Sequence, residues 1–192
     1  MDNFFKRMHI YPDIDMNFDN IIEHFVFRLS LRTHKLNRMK VLMVCLGNIC
    51  RSPLADGLLR EKIRINKLDA SVDSAGTSGH HAGEAPDPRM RTTAKAHDLS
   101  IDDLRARQFS RTDFDDFDLI YVMDESNYTN VTQLAKNEHE KNKVKLILNE
   151  LTPGMNTAVP DPYYGGDQGF EDVFQMLDKA TDIIIKKRLT ND

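Results

Sequence analysis

Two residues six positions apart, Cys45 and Arg51, flank a glycine-containing loop in the stretch Val44-Cys45-Leu46-Gly47-Asn48-Ile49-Cys50-Arg51-Ser52-Pro53. The chemistry such a pair would do is attack by sulfur on a bound anion. A guanidinium carries a permanent charge, and its planar fork matches two phosphate oxygens at once. A thiolate is itself an anion, so surroundings that hold a phosphate also favour the ionised sulfur of Cys45. A hydrogen bond from the Ser52 hydroxyl would favour it further. The backbone of Leu46, Gly47, Asn48, Ile49 and Cys50, with Ser52, would wrap the phosphate, and attack on phosphorus would give a phosphocysteine.

Such a loop works only if a strand delivers the sulfur and a helix starts just beyond it. Val41, Leu42, Met43 and Val44 form an unbroken apolar run, as in a short parallel strand covered on both faces, which leaves Cys45 at its carboxyl end. Ser52 is a suitable N-cap and Pro53 a suitable first helical residue, with Leu54, Leu58, Leu59 and Ile63 following at helical spacing. The open amides of that helix start would face the loop, and Gly47 would supply the positive φ that a wrapped loop needs. Further strands are expected over residues 71–75, 119–123 and 144–148, with helices between them. In the last helix Phe170, Val173, Phe174, Leu177, Ala180 and Ile184 share one face, and Lys186, Lys187 and Arg188 stand where a helix C-terminus favours positive charge. Alternation of this kind predicts one α/β domain with a parallel sheet covered on both sides, binding ligands beyond the carboxyl ends of its strands.

Cys45 to Pro53 resembles the signature loop of the low-molecular-weight protein tyrosine phosphatases. The resemblance runs from about Met39 to the C-terminus and includes Ser74-Ala75-Gly76-Thr77, Asp87-Pro88-Arg89, Ala106-Arg107-Gln108, Met123-Asp124-Glu125-Ser126-Asn127 and Asp161-Pro162-Tyr163-Tyr164. It implies a doubly wound, flavodoxin-like domain with a four-stranded sheet, and a phosphatase that uses neither metal nor cofactor. It also implies that Asp161 is the general acid, protonating the phenol oxygen and then activating water. Alone, Asp161 between Pro160 and Pro162 reads as a rigid turn before Gly165 and Gly166. Asn48 and Ser74 are implied to hydrogen-bond and hold the loop in shape. A histidine is implied where Leu104 stands, which makes the expected supporting network smaller. Cys50 is implied as a redox partner of Cys45. His80 occupies a place where relatives often carry a large aromatic ring against the substrate, and Tyr163 and Tyr164 would complete the slot. Relatives acting on phosphoarginine tend to carry threonine at Ile49 and phenylalanine at Tyr163, so this chain favours phosphotyrosine, on a protein or a small aryl phosphate.

The remaining composition narrows the field. The 192 residues, 40% hydrophobic, suffice for one sizeable core, and a net charge of −4 argues against nucleic-acid or general membrane-surface binding. Two cysteines five positions apart are no disulfide framework; they fit a reducing cytoplasm and are too few for an arsenate reductase, which must relay a disulfide. A phosphocarrier with sulfur as acceptor would not need Arg51 and Asp161 together. His80-His81 lacks companion ligands for a metal, and Asp113, Asp115, Asp116 and Asp118 read as a solvated turn anchored by Phe114 and Phe117. The acceptor patterns at Asn127 and Asn130 carry no weight without an export signal. Residues 1–38 show no motif, although Ile21, Ile22, Phe25, Val26 and Leu29 would fit one short amphipathic helix. They are expected to be a dispensable extension of a monomeric domain spanning residues 39–192.

Overall fold

Val41, Leu42, Met43 and Val44 are each fully buried, and their side chains divide between two cores. Val41, Met43 and Cys45 belong to one cluster, Leu42 and Val44 to the other. This is the period-two alternation of a strand with apolar layers on both faces. The computed structural model describes residues 38–190. The helix anticipated over residues 21–29 lies outside them. The strand itself, β1, runs Met39–Cys45 and is followed by helix α1, Arg51–Ile65, and strand β2, Ala70–Gly76. Helix α2, Pro88–Ala96, and a short helix α3, Asp113–Asp116, precede strand β3, Leu119–Val122. Helices α4, Glu125–Thr132, and α5, Glu138–Asn142, lead to strand β4, Val144–Leu146, and the long helix α6, Gly166–Ile184, closes the fold.

The four strands are parallel in the order β2-β1-β3-β4. The chain therefore leaves β1 towards β2 on one side, and β3 lies on the other. A crevice opens where the connections diverge, at the carboxyl ends of β1 and β3. Helix α6 covers the Cys45 side of the sheet through Phe170, Val173, Phe174, Leu177, Ala180 and Ile184, the face expected from their spacing. A fully buried side chain of that kind contributes about 1.5–3 kcal/mol, so this one face anchors the layer. Among the described residues no helix is long and apolar enough to cross a membrane.

Three expectations are corrected. The strand anticipated over residues 144–148 stops at Leu146, and Ile147–Glu150 turns into a 3-10 helix. Ile147 and Leu148 both pack into the same core, which two successive strand residues cannot do. Asp113 is buried rather than solvated: its carboxylate accepts from Ser110 N at 2.7 Å and pairs with Arg107 at 3.1 Å. Phe114 beside it is fully in the core, as an anchor should be. The basic run after α6 serves a buried acid rather than only the helix end. In the π-helical turn Ile185–Leu189, Lys187 Nζ donates to Glu150 O at 3.0 Å, and Arg188 pairs with the Glu150 carboxylate at 3.1 Å. Tyr121 OH donates to the same carboxylate at 2.6 Å.

Helix α1 packs closely enough to exclude a methyl group at Gly57, where a Cβ would overlap the buried Ile101 Cγ2. Alanine normally stabilises a helix interior relative to glycine. Here Gly57→Ala is expected to destabilise the protein by about 1–3 kcal/mol through overpacking, read as a lower midpoint in urea unfolding.

Candidate active site

The loop between β1 and α1 is held from outside by its carbonyls. Cys45 O accepts from Thr77 N at 2.8 Å and Leu46 O from Ser78 N at 2.9 Å, both on the segment that leaves β2. Ile49 O accepts from Asp87 N at 2.8 Å, just before α2. With these carbonyls engaged on the outer side, the loop can turn an amide towards the sulfur: Asn48 N donates to Cys45 Sγ at 3.3 Å. The end of β2 approaches so closely that a Cβ on Gly76 would lie 2.8 Å from Leu46 O, so only glycine fits there. The residues of this contact stood in the motif Ser74-Ala75-Gly76-Thr77, but their spacing alone does not reveal it.

Ser52 and Asn48 both depart from their expected local roles. The helix begins at Arg51, with Cys50 as its cap residue and no side-chain capping bond. Ser52 is therefore inside the first turn, and its Oγ points to the sulfur, 3.0 Å from Cys45 Sγ. It also accepts from Asn48 Nδ2 at 2.9 Å and lies 3.3 Å from Ala75 O. The positive φ expected of Gly47 belongs instead to Asn48, at 55°. An asparagine tolerates that region when its side chain is tied locally. Here Nδ2 is held by Ser52, and Oδ1 accepts from Arg107 N at 2.9 Å. The expected Asn48–Ser74 bond is thus replaced by Asn48–Arg107. Ser74 is buried near the Asp56 carboxyl, whose ionised form it favours.

Arg51 is 5% exposed and needs a partner. Its Nη1 donates to Asp124 Oδ2 at 2.7 Å and to Val159 O at 3.1 Å. Asp124 follows β3, next to β1 in the sheet, and caps α4 by accepting from Asn127 N at 2.7 Å. Sequence reasoning quoted Asp124 within a motif but gave it no role; its service to Arg51 depends on strand order. Asn127, an acceptor pattern on paper, is buried. Asp161 arrives from the far side. It caps the turn Pro162–Tyr164, accepting from Tyr163 N at 3.0 Å, and its Oδ2 stands 3.9 Å from Arg51 Nη2. Leu46, Arg51, Asp124, Val159, Pro160 and Asp161 line a cavity of about 370 Å³. A larger one, about 470 Å³, lies around Tyr128, Lys145 and Arg188 and contains none of the predicted site residues.

The rim is made by other segments. His80 is exposed, with Nδ1 2.7 Å from Ser78 Oγ. The ring that packs on Gly47 belongs to His81, whose Nδ1 lies 2.8 Å from Glu84 Oε2. Tyr163 is 59% exposed beside the Asp161 turn; the side chain of Tyr164 lies outside the described part of the structure. Cys50 is a free thiol whose pKa is pushed up to about 12, first by burial, then by the charges of Asp87, Cys45 and Asp161, with Arg89 pulling it down. It stays protonated at neutral pH, unlike a group suited to attack.

The described part of the chain matches known proteins over nearly its whole length. The family profile described as low molecular weight phosphotyrosine protein phosphatase matches residues 40–192. The low molecular weight phosphotyrosine protein phosphatase of Schizosaccharomyces pombe is 41% identical over 142 residues, which is 72% of this chain and 90% of that one. A crystal structure of a protein tyrosine phosphatase from Entamoeba histolytica, with Hepes in its active site, superposes with a TM-score of 0.72 at 39% identity. That match covers 78% of this chain and 96% of the other.

One buried group stands one helical turn beyond Ser52. Asp56 is 1% exposed, and its Oδ1 finds no partner among the described residues. Burial raises its pKa from 3.8 to about 7, against the pull of Arg60 and with Asp73 adding to the rise. A carboxyl raised in the folded state contributes its stability below the unfolded pKa and loses it as pH climbs through the folded one. Asp56→Asn should therefore match the parent in urea unfolding near pH 4, gain on it steadily towards pH 7, and keep a constant advantage at pH 8.

Proposed function

This chain belongs to the low molecular weight phosphotyrosine protein phosphatases, and from that membership and the site geometry we infer a metal-independent protein-tyrosine phosphatase acting through a phosphocysteine intermediate. The observation that carries the reading is the sulfur of Cys45 held between the Asn48 amide and the Ser52 hydroxyl, at the end of a loop whose Arg51 lies 3.9 Å from Asp161. The positive charge that phosphoryl transfer requires is supplied by Arg51, the loop amides and the helix start.

The steps follow from the atoms. The loop amides and Arg51 hold the phosphate dianion of a phosphotyrosine, and the Cys45 thiolate attacks phosphorus in line with the ester oxygen. As the sulfur–phosphorus bond forms, the phosphorus–oxygen bond breaks and Asp161 gives its proton to the departing phenolate, which is a far better leaving group once protonated. Water enters in its place. Asp161, now a carboxylate, takes a proton from that water as its oxygen attacks phosphorus, and the sulfur leaves as thiolate, restoring the starting site. The Asp124 bond at Nη1 fixes the guanidinium plane, so Arg51 presents the same face to each successive anion.

Ile49 and Tyr163 supply apolar and aromatic walls suited to a phenyl ring, with His80 at the rim. These favour phosphotyrosine over phosphoarginine. The protonated Cys50 thiol is close enough in sequence to trap an oxidised Cys45 as a disulfide and spare it irreversible oxidation. The free thiols suit a reducing cytoplasm. The reaction needs no second copy of the chain, so we assign a monomer, with the enzyme in residues 39–192 and residues 1–38 as an extension dispensable for activity.

Cys45→Ser is expected to abolish hydrolysis of an aryl phosphate, assayed with chelator present, while inorganic phosphate still binds by calorimetry. Asp161→Asn should lower kcat/KM by about 10²–10⁴-fold for phenols of high pKa and much less for nitrophenols. Full turnover in the Cys45→Ser protein, or a uniform small loss in the Asp161→Asn protein, would remove these assignments.

A further inference from the structure

The turn that carries Asp161 is held at both ends. Upstream it is pinned where Val159 N donates to Met123 O at 2.8 Å, and downstream the chain passes through Gly165 into α6, whose first residue Gly166 stands at φ 59°. Between those points the turn rests its Tyr163 ring on a side chain from another element. Arg89, the second residue of α2, places its guanidinium carbon 5.0 Å from the Tyr163 ring centroid and 4.7 Å from that of Phe170. Phe170 is fully buried in the main core. The guanidinium thus links one ring fixed in the core to one ring fixed to the turn.

Arg89 is itself held in orientation. Its Nη2 donates to Asp87 Oδ2 at 2.7 Å and its Nε to Asp87 Oδ1 at 3.1 Å, a two-point fork that sets the plane of the cation. Asp87 is in turn fastened to the nucleophile loop, since Asp87 N donates to Ile49 O at 2.8 Å. At the other end Tyr163 N donates to Asp161 Oδ1 at 3.0 Å. A continuous series of contacts therefore runs from the loop around Cys45, through Asp87, Arg89 and Tyr163, to the Asp161 carboxyl group. Asp87-Pro88-Arg89 was a motif without a function in the sequence.

We propose that Arg89 is a positioning residue for the general acid: by stacking on Tyr163 while forked to Asp87, it sets the distance between the Asp161 turn and the nucleophile loop. The inference rests on Asp161 being the acid, as argued above. It differs from a helix-capping role for Arg89, because a cap would support α2 without altering proton transfer.

The test is the dependence of kcat/KM on the leaving group, measured with substituted phenyl phosphates whose phenols span a range of pKa. Loss of a stacked cation corresponds to an effect of about two- to fivefold. Arg89→Ala should lower kcat/KM by about that factor for weakly acidic phenols and leave nitrophenol esters near the parent value, steepening the leaving-group slope. Arg89→Lys should resemble Arg89→Ala, since a lysine keeps the charge but lacks the planar fork. In a Tyr163→Ala background, Arg89→Ala should steepen the slope no further. A parallel fall for every ester, an unchanged slope, or full rescue by lysine would overturn the proposal. Asp161→Asn run in the same series separates the two levels. If its own slope matches the parent, the assignment of the acid fails; if it is steep while Arg89→Ala is not, only the role of Arg89 fails.

Discussion

A loop can gather its amides around an anion only if its carbonyls are satisfied elsewhere, and the whole site depends on that division. Thr77, Ser78 and Asp87 donate to Cys45 O, Leu46 O and Ile49 O respectively, so three donors from two other segments hold the outer side of the loop. The inner side is left to the substrate and to the sulfur, which Asn48 N already faces. An unpaired buried amide is expensive unless an anion meets it. The fold accepts that cost at the mouth of a crevice, where Asn48 N faces the Cys45 sulfur.

Charge is managed by the same logic of neighbouring strands. Arg51 is nearly buried, and its counter-charge Asp124 arrives from the strand beside β1, close enough for a 2.7 Å contact. The pair orders the guanidinium before any substrate binds, so less freedom is lost on binding. Asp161 is half exposed, 3.9 Å from the same guanidinium. Two acids around one arginine thus differ in burial: the more enclosed one orders the guanidinium, and the other stands more open to solvent. Asp56, one turn along α1, is the exception to good pairing, a buried carboxyl whose ionised form the fold disfavours.

Much of this was legible from the chain because it is encoded locally. Apolar runs name the strands, helical spacing names the buried face of α6, and the Cys45-to-Arg51 loop between a strand and a helix names the family. The local errors share a cause. Gly47 and Ser52 were assigned the conformations their residue types prefer, positive φ and an N-cap. Yet Asn48 takes the positive φ because Ser52 and Arg107 tie both ends of its amide, and Ser52 gives up the cap to face the sulfur. Asp113 lies buried beside Arg107, six positions before it on an irregular segment, and Glu150 beside Arg188, 38 positions further along the chain.

The sequence by itself determined the family, the strand–loop–helix unit from Cys45 to Pro53 and a parallel α/β layer to carry it, since each depends on residues within a few positions of one another. Only the tertiary structure decided which acid orders Arg51, what holds Asn48 and how the Asp161 turn is anchored. Those contacts join segments whose proximity comes from strand order and helix packing, and no local spacing along the chain records which side chains that packing will bring together.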